Sequence, residues 1–226
     1  MEPIILDSIP FQVDLETLKK KLHVREGSPY WGDLLRLAEE ARDIAKPKAV
    51  YRMAFIDEKG EEDVLVEGVR FQSRILRVNL GEAQRVFPFV ATCGTEMEEW
   101  TDRMGDMLRK FWAETLKEIA VQSASRFVEE DLVERYRPGK ISRMSPGSLA
   151  DWPIQQQRPL FQILGDTAQK IGVRLTESLL MLPTKTVSGI RFPKEESFES
   201  CQLCPREICP NRRAPYDKGL YERKYK

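Results

Sequence analysis

The sequence has a single histidine, His23, and no apolar run that approaches the roughly 18–20 residues of a membrane span. One histidine argues against a histidine-based catalytic triad, and neither the Gly-x-Ser-x-Gly turn of hydrolases nor a phosphate-cradling glycine loop is found. Hydrolytic and nucleotide-phosphate chemistry therefore rank low among the possible functions.

Net charge is also missing, because 36 Lys and Arg residues balance 36 Asp and Glu residues. The composition gives no bulk attraction for nucleic acid or for an anionic membrane. The first ten residues lack the basic flank and apolar stretch of a signal peptide, so we expect a cytoplasmic protein with reduced thiols. With 226 residues, 41% of them hydrophobic, and no obvious linker, the chain is expected to form one main domain.

Hydrophobic periodicity predicts an α+β fold in which an antiparallel sheet accompanies a long central helical block. Helices are predicted from Asp14, after Pro29 and across the whole of 95–136. Strands are predicted over 49–56, 64–71, 75–80, 86–92, 173–182 and 186–192. We divide the chain into a domain at 1–194 and a Cys-rich tail at 195–226, where regular patterning fades.

Two segments carry a family resemblance. The first is Arg143-Met144-Ser145-Pro146-Gly147, and the second runs from Leu175-Thr176-Glu177-Ser178 through Val187-Ser188-Gly189 to Phe192. In sequence and in order they resemble the C-terminal activation domain of cobalamin-dependent methionine synthase. The resemblance implies a twisted antiparallel sheet and a shallow groove that binds S-adenosylmethionine.

The resemblance also implies a partner and a reaction. Such a domain docks on a cobalamin-binding methyltransferase protein whose cofactor has been oxidised to cob(II)alamin. One electron, from a flavodoxin- or ferredoxin-type donor, and a methyl group from S-adenosylmethionine then restore methylcobalamin. The chain lacks the Asp-x-His-x-x-Gly pattern of corrinoid binding, so cobalamin is expected only through the partner, with this chain acting in trans as a stand-alone relative.

The resemblance assigns cofactor contacts to six residues, namely Arg143, Ser145, Pro146, Gly147, Glu177 and Ser178. An arginine fork can grip the carboxylate of the ligand with two hydrogen bonds. The Pro-Gly turn lets the backbone approach closely. The competing interpretations are an ordinary surface turn at Arg143 and, within a strand, a solvated Glu177.

The chain lacks the N-terminal Asp-Trp-Thr-Pro signature of the family and departs from the family pattern at three further places. Ser148 follows the motif glycine where the family has an aromatic residue, and Arg191 stands where the family has a tyrosine. The helix before Arg143 should carry an acidic residue, yet the polar residues at 120–127 include no Asp or Glu.

The tail contains Cys201-x-x-Cys204-x-x-x-x-Cys209, a spacing that can present three thiolates to one metal ion. Cys93 is the candidate fourth ligand, with His23 as the alternative, and Pro205 and Pro210 each follow a cysteine. An iron–sulfur cluster and zinc both suit such ligands. A redox-active thiol pair and plain reduced cysteines stay open as alternatives.

Three functions therefore compete. The first is reactivation of a corrinoid methyltransferase with S-adenosylmethionine. The second is an iron–sulfur or zinc protein for electron transfer on the same scaffold. The third is a docking module without a ligand of its own.

Overall fold

The computed structural model describes residues 1–195, 198–209 and 212–226. The strands are β1 (Ile4–Leu6), β2 (Lys48–Tyr51), β3 (Ala54–Lys59), β4 (Asp63–Val66), β5 (Val69–Gln72), β6 (Arg85–Thr92), β7 (Ile141–Met144), β8 (Arg174–Leu175), β9 (Met181–Leu182) and β10 (Thr186–Pro193). The α-helices are α1 (Leu15–Leu22), α2 (Trp31–Ile44), α3 (Arg74–Leu80), α4 (Thr95–Asp102), α5 (Met107–Tyr136), α6 (Gln157–Leu164), α7 (Thr167–Ile171) and α8 (Leu220–Lys224). Short 3-10 helices span Ile154–Gln156 and Ser200–Leu203.

The central strand of the sheet is β6. It pairs with β2 and β3 along one edge and with β10 along the other, and every strand pairing is antiparallel. Beyond these, β1 extends the sheet from β2, β4 and β5 extend it from β3, and β7 pairs with the far edge of β10. The predicted α+β class with an antiparallel sheet is confirmed.

Both faces of β6 are buried, which explains its nearly continuous apolar sequence. Val86 and Val90 pack in a cluster with α3 and α6, whereas Phe87 and Phe89 pack in another cluster with α5. Burying one such side chain contributes roughly 1.5–3 kcal/mol. The sheet therefore lies between α5 on one face and the shorter helices α3 and α6 on the other.

The predicted helical block at 95–136 is two helices rather than one. α4 ends at Asp102, and α5 begins after Asp106, whose carboxylate accepts from Arg109 N at 2.8 Å as an N-cap. Small residues of α5 let it approach the sheet closely, since Ala124 and Ser125 are buried against it. Within the described ranges, no helix combines the length and apolarity that crossing a membrane requires.

The strand predicted at 75–80 is wrong, because this segment is the helix α3. Ser73 Oγ accepts from Leu76 N at 2.9 Å, and the Asp151 carboxylate accepts from Ile75 N at 3.0 Å. These two acceptors cap the first turn. The buried residues of α3 then fall three to four apart, as a helix requires, rather than on alternate positions.

The long strand predicted at 173–182 is also wrong. The segment is a hairpin in which β8 and β9 flank a turn at Thr176–Leu180. Leu179 adopts a positive φ of 67°, and Leu179 N donates to Thr176 O at 3.0 Å. A strand cannot continue through that conformation.

The described residues of the Cys-rich range, 198–209 and 212–226, pack against the core of the main domain. Phe198 and Tyr225 are almost fully buried, and their rings meet edge to face with centroids 6.3 Å apart. The Tyr225 hydroxyl donates to Asn79 Oδ1 at 2.9 Å, and Glu199 forms a parallel bridge with Arg143 of β7. The described part of the tail therefore shares one core with 1–194 and is not a free appendage.

Candidate functional site

A groove of about 870 Å³ opens between α5, the β7–β10 pair and the tail. Its walls carry many more charged than apolar side chains. The lining residues are Glu118, Val121, Gln122, Ser125, Arg126, Glu129, Glu130, Arg143, Val187, Arg191, Arg212 and Arg213. Both resembling segments thus reach the groove, the first through Arg143 and the second through Val187 and Arg191.

Arg143 points into the groove because β7 alternates its side chains. Its neighbours Ser142 and Met144 are buried on the opposite face. The Arg143 guanidinium donates through Nη1 to Ser125 Oγ at 3.0 Å. Burial lowers the pKa of Arg143, while the Glu199 and Glu129 carboxylates oppose that shift, and the guanidinium stays charged.

Arg191 lies directly opposite Arg143 in the β7–β10 register, and its side chain is 3% exposed. It donates to the Glu129 carboxylate through Nη1, and through Nη2 to Ser125 O at 2.5 Å and Ser125 Oγ at 3.1 Å. Its guanidinium lies over the Phe89 ring, 4.9 Å from the centroid. Burial lowers the pKa of Arg191 to about 10.

The sequence did not identify this arginine, or Glu129, as part of the site. In the sequence, Arg191 differs from the family only as the replacement of a tyrosine, and the segment 120–127, where the family's acidic residue is expected, contains no Asp or Glu. A carboxylate lines the groove one helical turn beyond Ser125, at Glu129, on the same face of α5. The four-residue spacing between Ser125 and Glu129, which places both on one helix face, is the sequence feature that could have indicated Glu129.

The two resembling segments contact one another through a glycine. A Cβ on Gly189 would lie 2.4 Å from Met144 O and 2.8 Å from Ser145 Oγ. Real Cβ atoms do not tolerate such distances, so only glycine lets β10 pass this close to the end of β7. This contact explains why a Ser-Gly step in the second segment accompanies the Arg-x-Ser-Pro-Gly turn in the first.

The turn after Arg143 supports the groove without lining it. Gly147 has a φ of +83° and donates to Trp152 O at 2.7 Å, and a Cβ there would meet Ile154 at 2.8 Å. Ser148 Oγ donates to Ser145 O at 2.6 Å. Ser145, Pro146 and Gly147 therefore hold β7 in place, and Ser148 closes its own turn where the family has an aromatic ring.

Glu177 and Ser178 do not join Arg143. Both are exposed in the β8–β9 turn and neither lines the groove. Ser178 Oγ lies 3.0 Å from Thr176 Oγ1, and Arg158 Nη2 donates to Glu177 O at 3.1 Å. The groove therefore unites Arg143 with the β10 half of the second segment and leaves the hairpin half apart.

Comparison with known proteins identifies the family. The family model of the vitamin B12 dependent methionine synthase activation domain matches residues 78–201, more than half of the chain. The chain belongs to this family. Among solved structures, the MetH reactivation domain bound to AdoHcy (S-adenosylhomocysteine) matches with a TM-score of 0.61 at 16% identity, covering 88% of this chain and 81% of that one. That likeness shows the fold, and no curated protein matches the sequence.

Cys93 lies far from the tail cysteines in this activation domain. Cys93 N donates to Lys185 O at 3.0 Å, next to the Thr186 end of β10, whereas the tail meets Arg143 opposite the Arg191 end. Five strand residues separate those ends by roughly 17 Å, at about 3.4 Å per residue. The structure therefore does not bring Cys93 to the predicted fourth-ligand position, and burial raises the pKa of its thiol to about 12.

The tail cysteines lie in a loop organised by an arginine. Arg212 donates through Nη1 to Cys201 O at 3.1 Å, and through Nη2 to Cys204 O at 3.4 Å and to Arg206 O. Cys201 Sγ accepts from Arg213 N at 3.5 Å. Pro210 lies outside the described residues.

Cys201, Cys204 and Cys209 are each half-buried free thiols. Across 1–195, 198–209 and 212–226, no three His, Cys, Asp or Glu side chains are gathered as a metal-ligand set. The loop carbonyls converge on the guanidinium of Arg212 instead, so the loop is held by hydrogen bonds to a cation.

Proposed function

We propose that this activation domain binds an S-adenosylmethionine-type nucleoside in the Arg143 groove. It would then support reductive methylation of cob(II)alamin held by a cobalamin-binding methyltransferase protein. The observation that carries the proposal is the placement of Arg143, fixed by Ser125 on one side and open to the groove on the other. The AdoHcy in the MetH reactivation domain supports the same ligand class.

The residues of the groove fit such a ligand. An amino-acid carboxylate matches the Arg143 fork, which keeps donors beyond the one used by Ser125. The α5 wall offers the exposed carboxylate of Glu130 as an acceptor for an ammonium group. Val121 and Val187 supply apolar surface for the nucleoside. The bound ligand would supply the methyl group, and the chain would hold and orient it.

The test is calorimetric titration of AdoHcy and S-adenosylmethionine into wild type and Arg143→Ala. Losing the charge-assisted hydrogen bonds should weaken AdoHcy by about 1.5–3 kcal/mol, or roughly tenfold to a hundredfold. Arg174→Ala is the matched control, since Arg174 is exposed on β8 outside the groove. Equal affinities for wild type and Arg143→Ala would remove Arg143 from the proposal.

Docking on the corrinoid protein is assigned to the β8–β9 hairpin. Its turn presents Glu177, Ser178 and the half-exposed Leu180 side chain, none of which lines the groove. A surface outside the ligand groove can meet a partner while the ligand stays bound. The partner supplies the cobalamin, and a flavodoxin- or ferredoxin-type protein supplies the electron.

A hairpin variant tests the docking assignment. Glu177→Ala, Ser178→Ala and Leu180→Ala combined should weaken binding to a cobalamin-binding methyltransferase protein at least about tenfold by interferometry. AdoHcy affinity should stay unchanged. Leu108→Ala, which alters a similarly exposed leucine on α5, is the control. Undiminished docking by the hairpin variant would refute the assignment.

A second candidate function is an iron–sulfur or zinc centre on Cys201, Cys204 and Cys209. The observation in its favour is the Cys-x-x-Cys pair on one 3-10 turn, beside the cationic Arg213. Because Arg212 now holds the loop carbonyls, a metal would require the loop to rearrange. Anaerobically purified protein should then contain stoichiometric iron with sulfide, or zinc, that Cys201→Ser loses and Cys93→Ala keeps. Metal-free wild type would exclude this function.

A further inference from the structure

The charges that line the groove do not balance. Five lining side chains are arginines and three are glutamates. Glu118 is already engaged by Lys21, 2.9 Å away, and Glu129 by Arg191. The groove consequently presents an excess of positive charge to whatever enters it.

Two arginines of the groove stand side by side, and Arg143 has no carboxylate in direct contact among the described residues. Arg143 and Arg191 are direct register partners, and like charges in that relation repel. Ser125 Oγ accepts from both guanidinium groups, at 3.0 Å and 3.1 Å, so it fixes the pair without supplying charge. Within the described ranges, Arg143 forms no ion pair and Arg191 pairs with Glu129, although the Glu199 carboxylate also attracts both guanidinium groups.

The other three arginines that line the groove also contribute to its positive charge. Arg213 forms an ion pair with Glu199, with Nη2 and Oε2 2.9 Å apart. Arg212 is bound to neutral carbonyl groups, and the exposed Arg126 makes no ion pair with the described residues. An anionic group on the ligand is therefore favoured, and an additional cationic group is disfavoured.

We propose that the groove selects its nucleoside by charge, and that Arg191 sets the selection. AdoHcy, a neutral thioether at sulfur, would bind more tightly than S-adenosylmethionine, whose sulfonium adds one positive charge to the same skeleton. This inference rests on the proposed nucleoside-binding function and specifies which form the site prefers. A ligand without the amino-acid carboxylate, such as 5′-methylthioadenosine, would bind more weakly than AdoHcy.

Coulomb's law gives the size of the effect. One extra unit charge several ångströms from a guanidinium of the groove, at the effective dielectric of a partly wet groove, changes Kd by roughly threefold to tenfold. The preference should shrink at high salt, since the Debye length falls from about 10 Å at 0.1 M to about 3 Å at 1 M. A preference due to shape alone would not respond to salt in this way.

Charge-changing variants of opposite sign test the proposal on the full-length chain. Arg191→Met removes one positive charge and should reduce the AdoHcy preference toward unity. Glu129→Gln removes the negative charge beside Arg191 and should increase it. Because the Glu129 side chain is half exposed, Glu129→Gln keeps the proposal testable if Arg191→Met does not fold. Arg191→Lys, which keeps the charge, is the control and should retain the preference.

The outcomes separate this inference from the proposed function. One outcome is that AdoHcy binds measurably, but the ratio of its affinity to that of S-adenosylmethionine changes neither in Glu129→Gln nor with salt concentration. That outcome would overturn charge selection and leave nucleoside binding intact. Absence of binding by all three nucleosides would instead overturn the proposed function and this inference together. Charge selection is supported if wild type binds AdoHcy more tightly than S-adenosylmethionine, and if this preference decreases in Arg191→Met and increases in Glu129→Gln.

Discussion

The two ends of β10 both hold buried cations, and they treat them differently. Near Thr186, the Lys117 side chain is 2% exposed, and its Nζ lies 2.5 Å from Glu98 Oε2 and 2.8 Å from Glu114 Oε1. The Thr184 N–H and hydroxyl also bind Glu98. Every charge in this cluster has a partner within the protein.

At the other end, Arg143 and Arg191 share one serine hydroxyl, and Glu129 pairs with Arg191 but not with Arg143. The difference separates structural charge from charge available to a ligand. Lys117 closes a gap between α4, α5 and the loop before β10, whereas Arg143 retains donors that face the groove. Burial and charge alone would have ranked the two sites alike, and the count of partners tells them apart.

Removing the cation at the balanced end should have the largest effect on stability. Lys117→Ala removes the buried cation that pairs with both Glu98 and Glu114 and leaves Glu114 only its longer contact to Lys185, and breaking such a buried pair costs about 3 kcal/mol. Urea unfolding measures the loss. Lys185→Ala, which removes a half-exposed ion pair 3.6 Å from Glu114, should cost less than about 1 kcal/mol. If both variants lost equal stability, the distinction between buried and surface charge in this cluster would be wrong.

Much of the fold was predictable because its strongest signals are local. The apolar run of β6 and the long stripe of α5 predicted those elements and the antiparallel α+β class. The errors arose where a distant residue decides the local structure. Asp151 caps α3 from 76 positions away in sequence, so 75–80 forms a helix despite its alternating pattern.

The candidate site shows the same division. Arg143 was predicted from its motif, since the motif itself builds the turn. Arg191 and Ser125 were not, because their roles depend on the strand register and on the approach of α5 to the sheet. Glu177 and Ser178 were predicted within a straight strand, whereas the left-handed Leu179 turns them away from the groove.

The thiols extend the comparison between the two ends. Cys93, fully buried with its pKa raised by burial to about 12, should react with a disulfide reagent at pH 8 at least about 100-fold more slowly than the tail cysteines. Cys201, Cys204 and Cys209 are half-buried in the loop and should react first. Mass spectrometry of the quenched reaction identifies the modified residues. Early modification of Cys93 would show that this end opens more readily than its packing implies.

The smallest expected effect is the pH dependence of stability, which compares Glu98 at one end of β10 with Glu199 at the other. Burial acts to raise the pKa of Glu98, yet the hydrogen bonds from Lys117 and Thr184 outweigh it and leave the pKa below 4.5. Burial raises the pKa of Glu199 above 4.5, against the opposing effect of Arg143. The Glu98 carboxyl thus binds a proton less tightly in the folded state than in the unfolded state. The Glu199 carboxyl binds a proton more tightly in the folded state than in the unfolded state.

The two carboxyls should consequently have opposite effects on stability as the pH falls. Glu98 stabilises the fold above its unfolded pKa near 4.5, and that contribution is lost as the pH falls through its lower folded value. Glu199 penalises the fold while ionised, and that penalty disappears as the pH falls through its raised folded value toward 4.5. Between pH 7 and 3.5, the stability of wild type relative to Glu98→Gln should decrease, and relative to Glu199→Gln it should increase. Each change should be about 1 kcal/mol or less because both side chains remain partly exposed. Urea midpoints measured across that range give both curves, and curves of the same sign would show that the two ends of β10 do not differ in how their charges are balanced.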